Sequence, residues 1–160
     1  MRIIEDAVWR YYNCPDPFWS AKCRSCREKI AALGVPVEEC LNCWKVEIWS
    51  SCQSVRDAVI DGLIVKGIPV IAKASRAPIF VVRSGVPVGA YTSETVNYLL
   101  ILYARDIAER DLLRREAEAV LSESIAPEHF LPVRRGCWKY DDALGPWQAW
   151  CPPDKDYRES

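Results

Sequence analysis

Two Cys-x-x-Cys motifs, separated by thirteen residues, constrain this chain more than any other feature of its sequence. They run from Cys23 to Cys26 and from Cys40 to Cys43. The spacing C-x2-C-x13-C-x2-C is typical of a zinc site, because two short motifs supply four sulfur ligands in a tetrahedron. A four-cysteine iron–sulfur cluster needs the same ligands. A single motif acting alone would instead serve as a redox dithiol, so the spacing by itself leaves metal binding and redox chemistry open.

Cysteine is also abundant outside these motifs, with eight in a chain of 160 residues. Cys14, Cys52, Cys137 and Cys151 would form a second site if the C-terminal tail folds back. The chain has one histidine, so any metal site would be almost entirely sulfur. All seven tryptophans lie in the same terminal regions as the cysteines. They are consistent with ordinary packing or with a hydrophobic shell around a thiolate site.

Length and charge narrow the class of protein. A chain of 160 residues is long enough for one domain with a large core. The formal net charge of −1 argues against a strongly basic nucleic-acid binder. No apolar run approaches the length of a membrane span, and Glu5 and Asp6 stand where a secretory signal would be apolar. We therefore expect a cytoplasmic protein without a membrane partner, in a compartment where structural disulfides are rare.

The spacing of apolar and turn-forming residues predicts the order β-α-β-α-β-β-α. The predicted strands are residues 7–12, 44–49, 78–82 and 86–91. The predicted helices are residues 20–33, 55–66 and a long C-terminal helix from about 93 to about 121. The apolar stripe of that last helix consists of Val96, Leu99, Leu100, Tyr103 and Ile107. This order indicates an α/β fold that borders on α+β.

Two stretches of this order resemble a known superfamily. The stretch "SRAPIFVVRSGVPVGAYTSETVNYLL" is similar to the second half of a thioredoxin fold, and "REKIAALGVPVEE" looks like the end of a glutaredoxin-type first helix. The resemblance covers roughly residues 5–122. It implies a thioredoxin-like domain over residues 1–124 and a Trp- and Cys-containing extension over residues 125–160. We expect the extension to pack back on the domain, because its aromatic side chains would be a liability if exposed.

The resemblance also implies a function and a site. Thioredoxin-like proteins exchange electrons with protein thiols and disulfides and need no cofactor for it. Their reactive cysteine stands at the N-terminus of the first helix, where unpaired N–H groups lower its pKa. A cis proline that opens the third strand faces this cysteine, and Pro78 holds that position here. Lys22 and nearby arginines would add positive charge.

The sequence leaves open which cysteine holds the reactive position. If residues 13–22 form a loop, Cys23 would attack a disulfide and Cys26 would resolve the mixed disulfide. If the helix instead begins near Pro17, both of these cysteines lie inside it and Cys14 takes the reactive position. A [2Fe–2S] branch of the superfamily begins with two cysteines spaced much like Cys14 and Cys23. This chain has no cysteine from residue 53 to residue 136 to supply the second pair.

The preferred hypothesis is therefore a thiol–disulfide oxidoreductase that acts on a protein partner. Its site residues are Cys23, Cys26, Cys14 and Pro78. The alternative is a zinc or iron–sulfur module, with the ligands Cys23, Cys26, Cys40 and Cys43. The sequence has no phosphate-binding loop, dinucleotide fingerprint or nucleophile elbow. The basic residues between positions 53 and 91 are typical of ordinary surface charge rather than of a nucleic-acid site.

Overall fold

A computed structural model of the chain describes eight stretches, which are residues 1–14, 18–41, 43–50, 52–78, 98–123, 129–130, 133–135 and 144–145. Within them the chain is a mixture of helices and strands around one antiparallel sheet, an α+β arrangement. None of the helices in these stretches is long and apolar enough to cross a membrane.

The strands are β1 (Ile3–Glu5), β2 (Trp9–Tyr12), β3 (Trp44–Ser50), β4 (Ala72–Ser75), β5 (Tyr98–Ala104), β6 (His129–Phe130) and β7 (Val133–Arg135). The helices are α1 (Phe18–Leu33), α2 (Glu38–Leu41), α3 (Gln53–Val65) and α4 (Ile107–Glu123).

The strand order of the sheet is β1-β2-β4-β5-β3-β6, and β7 also pairs with β3. Every pairing between described strands is antiparallel. Strand β5 lies between β3 and β4, although β3 and β4 are connected directly through α3. This is a split β-α-β arrangement, which continues through α4 to β6. Residues 129–130 and 133–135 thus belong to the same sheet as the strands that precede them.

The main core lies between one face of the sheet and helices α3 and α4. Alternate residues of β3 and β5, such as Val46, Ile48 and Leu102, point into this core. The intervening residues pack on the opposite face, which we call the aromatic face. Its buried members are Trp49, Leu99, Ile101 and Tyr103. Because both faces are covered, β5 is apolar almost throughout, and the polar residues Lys45 and Glu47 of β3 are buried.

The predicted C-terminal helix is wrong in its first half, because residues 98–104 form strand β5 and α4 begins only at Ile107. A continuous apolar run that is buried on two faces cannot be distinguished from a buried helix by periodicity. The true start has a capping signal. The Asp106 carboxylate accepts the Glu109 N–H at 2.8 Å, and the Glu109 carboxylate accepts the Arg105 N–H at 2.7 Å. Reciprocal bonds of this kind mark a helix N-terminus.

Other predicted elements agree better with the structure. The predicted strands at 7–12 and 44–49 and the predicted helices at 20–33 and 55–66 are confirmed as β2, β3, α1 and α3. The predicted strands at 78–82 and 86–91 lie outside the described residues, apart from Pro78. The sequence did not indicate β1, α2 or β4. The observed order of described elements also contains β1 and α2, and its strands β4 and β5 are not the two strands predicted at 78–82 and 86–91.

Helices α3 and α4 approach each other closely at Gly62. A Cβ atom added there would lie 2.5 Å from Cγ2 of Val120, much closer than van der Waals contact. Gly62→Ala gains about 1 kcal/mol of helix propensity but adds about 1–3 kcal/mol of overpacking. We expect a net loss of about 1 kcal/mol in the free energy of unfolding, measured by urea denaturation. Adding Val120→Ala should remove the clash, so coupling between the two substitutions is expected in a double-mutant cycle, and strict additivity would contradict it.

Candidate functional site

Helix α1 begins at Phe18, which decides between the two arrangements that the sequence left open. The unpaired N–H groups of a helix belong to its first four residues, here 18–21. Cys23 is the sixth residue of α1 and Cys26 the ninth, so both lie beyond this group. The cysteine that comes before the first helix in the sequence is Cys14, four positions ahead of Phe18.

The Cys14 thiol lies in an environment that suppresses its reactivity. Its side chain is 3% exposed, and Sγ donates a hydrogen bond to the Ala72 carbonyl at 3.2 Å. Burial raises the pKa of the Cys14 thiol to about 11, against an ordinary value of 9.0. The group therefore stays protonated near neutral pH, where only a thiolate attacks a disulfide.

Pro78 is not close to Cys14. The register of β2 and β4 places Tyr12 beside Ala72, the first residue of β4, and Cys14 contacts the same end. Pro78 follows Ser75, the last residue of β4, by three positions and is partly exposed. No peptide bond between described residues is cis, so the Ala77–Pro78 bond is trans, unlike the cis proline that the resemblance implies. Cys14 and Pro78 thus lie at opposite ends of one strand.

One cysteine from each Cys-x-x-Cys motif enters a small buried cluster of its own. We call it the dithiol cluster, and it consists of Cys26, Ile30 and Cys40, with Val37 and Leu144 packed against it. Cys26 is 5% exposed and Cys40 is 1% exposed. The cluster is separate from the main core and from the aromatic face. The fold therefore brings together thiols that are fourteen positions apart in the sequence.

A tight connection between α1 and α2 makes this convergence possible. Gly34 has a positive φ of 67° and donates its N–H to the Ile30 carbonyl at 2.8 Å, which ends α1 in the manner typical of glycine. Helix α2 then begins within a few residues. An ion pair between Lys29 and Glu39, at 2.9 Å, joins the two helices at the surface. The hydrogen bond to Glu39 raises the pKa of Lys29.

Cys43 belongs to a different cluster from Cys40. Its N–H donates to the Cys40 carbonyl at 3.2 Å, so the second motif makes a turn. After this turn Cys43 packs, half-buried, against the aromatic face and contacts the cluster that includes Trp49 and Trp9. No group of three His, Cys, Asp or Glu side chains placed to hold a metal occurs in the described part of the chain. The side chain of Cys23, and all of Cys137 and Cys151, fall outside that part.

Cations and aromatic rings pair on the aromatic face. The ammonium of Lys73 lies 4.2 Å from the centre of the Trp9 ring, and that of Lys45 lies 5.7 Å from the centre of the Tyr103 ring. Such pairs attract because the face of an aromatic ring carries a partial negative charge. Cys43 packs against this same face.

Cys52 is a thiol whose properties sequence reasoning missed. It is the N-cap residue of α3 and is partly exposed. Its Sγ lies 2.8 Å from the Ser54 hydroxyl. The hydrogen bond from the Ser54 side chain, followed by the backbone N–H groups of Ser54 and Val55, lowers the pKa of Cys52. Unpaired N–H groups at a helix N-terminus stabilise a thiolate in the same way.

A signal for Cys52 was present in the sequence. The stretch "SSCQS" follows the strand predicted at 44–49 and precedes the helix predicted at 55–66. This is the strand–cysteine–helix order that the resemblance assigned to the first helix instead. The Cys52 N–H donates to the Ser50 hydroxyl at 3.0 Å, which fixes the turn. Strand β6 places His129 opposite Ser50, at the same end of the sheet.

The buried Cys14 thiol should make stability depend on alkaline pH. The folded protein keeps its proton up to a pKa of about 11, whereas the unfolded chain loses it near 9.0. Its contribution is therefore complete below pH 9 and declines as the pH rises toward 11. We expect wild type to lose about 2 kcal/mol more unfolding free energy than Cys14→Ser between pH 8 and pH 11. Urea denaturation of both proteins measures this difference, and parallel pH curves would contradict it.

Comparison with known proteins adds no assignment to this geometry. No protein-family model, no curated protein and no solved structure matches the chain.

Proposed function

We propose that this chain is a thiol-based redox protein that exchanges electrons with disulfides of a protein partner through Cys26 and Cys40. The observation that carries the proposal is the dithiol cluster, in which one thiol from each Cys-x-x-Cys motif is buried beside Ile30. The partly exposed Cys52, with its lowered pKa, is a further thiol suited to this chemistry.

The reaction is ordinary thiol–disulfide exchange. The thiolate of one cysteine attacks a sulfur of the partner disulfide, which breaks the partner's S–S bond and forms a mixed disulfide. The thiolate of the second cysteine then attacks the first cysteine's sulfur, forms the Cys26–Cys40 bond and releases the partner. The two cysteines lose two electrons and two protons, and the partner disulfide becomes two thiols.

The proposal rests on the placement of the cysteines and not on a thioredoxin-type sheet. The order of elements fits the thioredoxin-like resemblance, and we retain that resemblance only as an interpretation of this order. Because β5 separates β3 from β4, the described sheet is a split β-α-β sheet. The proposed reaction therefore does not need Cys14 as the attacking thiol or Pro78 as the proline that faces it.

The test is reduction of a protein disulfide, with insulin as substrate and a small dithiol as electron source. We expect wild type to accelerate the reduction, and Cys26→Ser and Cys40→Ser each to lower the added rate at least tenfold. Cys14→Ser is the matched control, since it also removes a buried thiol but lies outside the dithiol cluster. Disulfide mapping of the oxidised protein should find Cys26 joined to Cys40. Full activity in both cluster variants would refute the proposal.

A second candidate function is a structural or electron-transfer metal site made by Cys23, Cys26, Cys40 and Cys43. The same convergence of Cys26 and Cys40 favours it, together with the turn that joins Cys40 to Cys43. Zinc takes four such ligands and stabilises the fold around them, and an iron–sulfur cluster would use the same thiolates. The packing of Cys43 against the aromatic face, away from the dithiol cluster, weighs against it.

Cys43→Ser separates the two functions, because the metal site needs this cysteine and the Cys26–Cys40 dithiol does not. The measurement is the metal content of purified protein, together with its visible absorbance. About one zinc per chain, or a brown colour, that disappears in Cys43→Ser would favour the metal site. Metal-free protein in which Cys43→Ser still reduces insulin would favour the dithiol.

A further inference from the structure

The described side chains of helix α1, those of residues 24–33, are mostly exposed. Among its side chains from Arg24 onward, only Cys26 and Ile30 are buried, and the others are exposed. Both buried residues belong to the dithiol cluster. The surface link to α2 is the Lys29–Glu39 ion pair, whose side chains are each 49% exposed. An exposed ion pair of this kind contributes little to stability.

The dithiol cluster is also the place where α1 meets the segment that leads into the sheet. Cys40 lies on α2, and the Cys43 N–H bonds to the Cys40 carbonyl directly before β3 begins at Trp44. A covalent bond between Cys26 and Cys40 would therefore connect α1 to the segment that leads directly into strand β3. Without that bond, the described contacts that hold residues 24–33 are the burial of Cys26 and Ile30 and the Lys29–Glu39 ion pair.

We infer that the Cys26–Cys40 dithiol is a redox-controlled fastening for helix α1, which opens readily in the reduced protein and is locked in place when the disulfide forms. This inference rests on the proposed function, because it assigns a structural consequence to the same pair of cysteines. Local opening also explains how thiols that are at most 5% exposed reach a disulfide. The oxidant that forms the Cys26–Cys40 bond in this inference is a low-molecular-weight disulfide. Each such molecule accepts two electrons and two protons and leaves as two thiols, while the Cys26–Cys40 bond forms.

The size of the effect follows from the length of the closed loop. From Cys26 to Cys40 the loop contains 15 residues. Closing a loop of this length removes enough entropy from the open state to lower its population about a hundredfold. The change should be confined to α1, since α4 packs in the main core, which contains neither cysteine.

Hydrogen exchange followed by mass spectrometry tests the inference on the full chain, reduced with excess dithiol or oxidised with glutathione disulfide. We expect peptides from residues 24–33 to exchange about a hundredfold more slowly after oxidation, and peptides from residues 113–121 to be unchanged. Cys26→Ser and Cys40→Ser should each exchange equally under both conditions. Cys14→Ser should respond as wild type does.

The outcomes separate this inference from the proposed function. If mapping finds the Cys26–Cys40 disulfide but residues 24–33 exchange at the same rate, the fastening is wrong and the redox function stands. Equal slowing of residues 24–33 and 113–121 would also overturn the fastening, because it indicates general stabilisation. If the oxidised protein contains no Cys26–Cys40 disulfide, the proposed function fails and the fastening fails with it.

Discussion

At pH 8, iodoacetamide is expected to modify Cys52 about a hundredfold faster than Cys14 in the folded protein. Cys14, with a pKa of about 11, is roughly one part in a thousand thiolate at this pH. The hydrogen bond with Ser54 lowers the pKa of Cys52, so a larger fraction of this thiol is thiolate at the same pH. The lower basicity of the Cys52 thiolate offsets about tenfold of this advantage. The burial of Cys14, which is 3% exposed, slows its alkylation by a similar factor, so the expected rate ratio stays at about a hundredfold.

Mass spectrometry of peptides after timed alkylation measures both rates in one sample. Ser54→Ala is the matched variant, because it removes the hydroxyl that lies 2.8 Å from the Cys52 sulfur. It should raise the pKa of Cys52 and slow its modification, with a larger effect at pH 7 than at pH 10. Comparable rates for Cys14 and Cys52 at pH 8 would show that their environments do not differ as described.

Leu102→Ala is expected to lower the free energy of unfolding by about 2–5 kcal/mol. Leu102 is fully buried on β5, on the face of the sheet that packs against helices α3 and α4. Ile101→Ala should cost a similar amount, because Ile101 is buried on the aromatic face. Val65→Ala is the control, since that side chain is 87% exposed and its loss should change stability by no more than about 0.5 kcal/mol.

This pair of substitutions also discriminates between a strand and a helix at residues 98–104. The predicted helix had its apolar stripe at Leu99, Leu100 and Tyr103, which leaves Ile101 and Leu102 on its other sides. In that helix at least one of the two substitutions would be nearly neutral. In strand β5 both are costly, because consecutive side chains point to opposite faces that are both covered. Urea denaturation that finds either variant as stable as wild type would contradict the strand.

The sequence correctly indicated elements whose boundaries have local causes. Helix α3 ends where Gly67 adopts a positive φ of 69°, and α1 ends at Gly34 for the same reason. Strand β3 was recognisable from its aromatic and β-branched residues. Strand β5 was not predicted because its side chains are apolar on both faces of the sheet, which leaves no alternation of polar and apolar residues. The capping pair Asp106 and Glu109 was available as a correction, and it outweighs the apolar periodicity.

The candidate site was predictable only in part. The two Cys-x-x-Cys motifs contain Cys26 and Cys40, but the sequence does not show that these two enter one buried cluster, which depends on how α1 folds back onto α2. The position of Cys23 depended on where α1 begins, and Phe18 places it too far along the helix for its unpaired N–H groups to help. Cys14 and Cys52 have similar sequence surroundings, each next to a predicted strand. Burial separates them, and burial is not a local property.

By itself the sequence showed that cysteines are abundant and paired in Cys-x-x-Cys motifs, because residue types and spacings are visible without a fold. It also determined most helix ends, which depend on residues a few positions apart. Only the tertiary structure decided which thiols meet, which one stays protonated and which one lies at a helix N-terminus. These properties depend on packing between segments distant in the chain, and a pKa responds to the solvent and hydrogen bonds that such packing leaves around the sulfur.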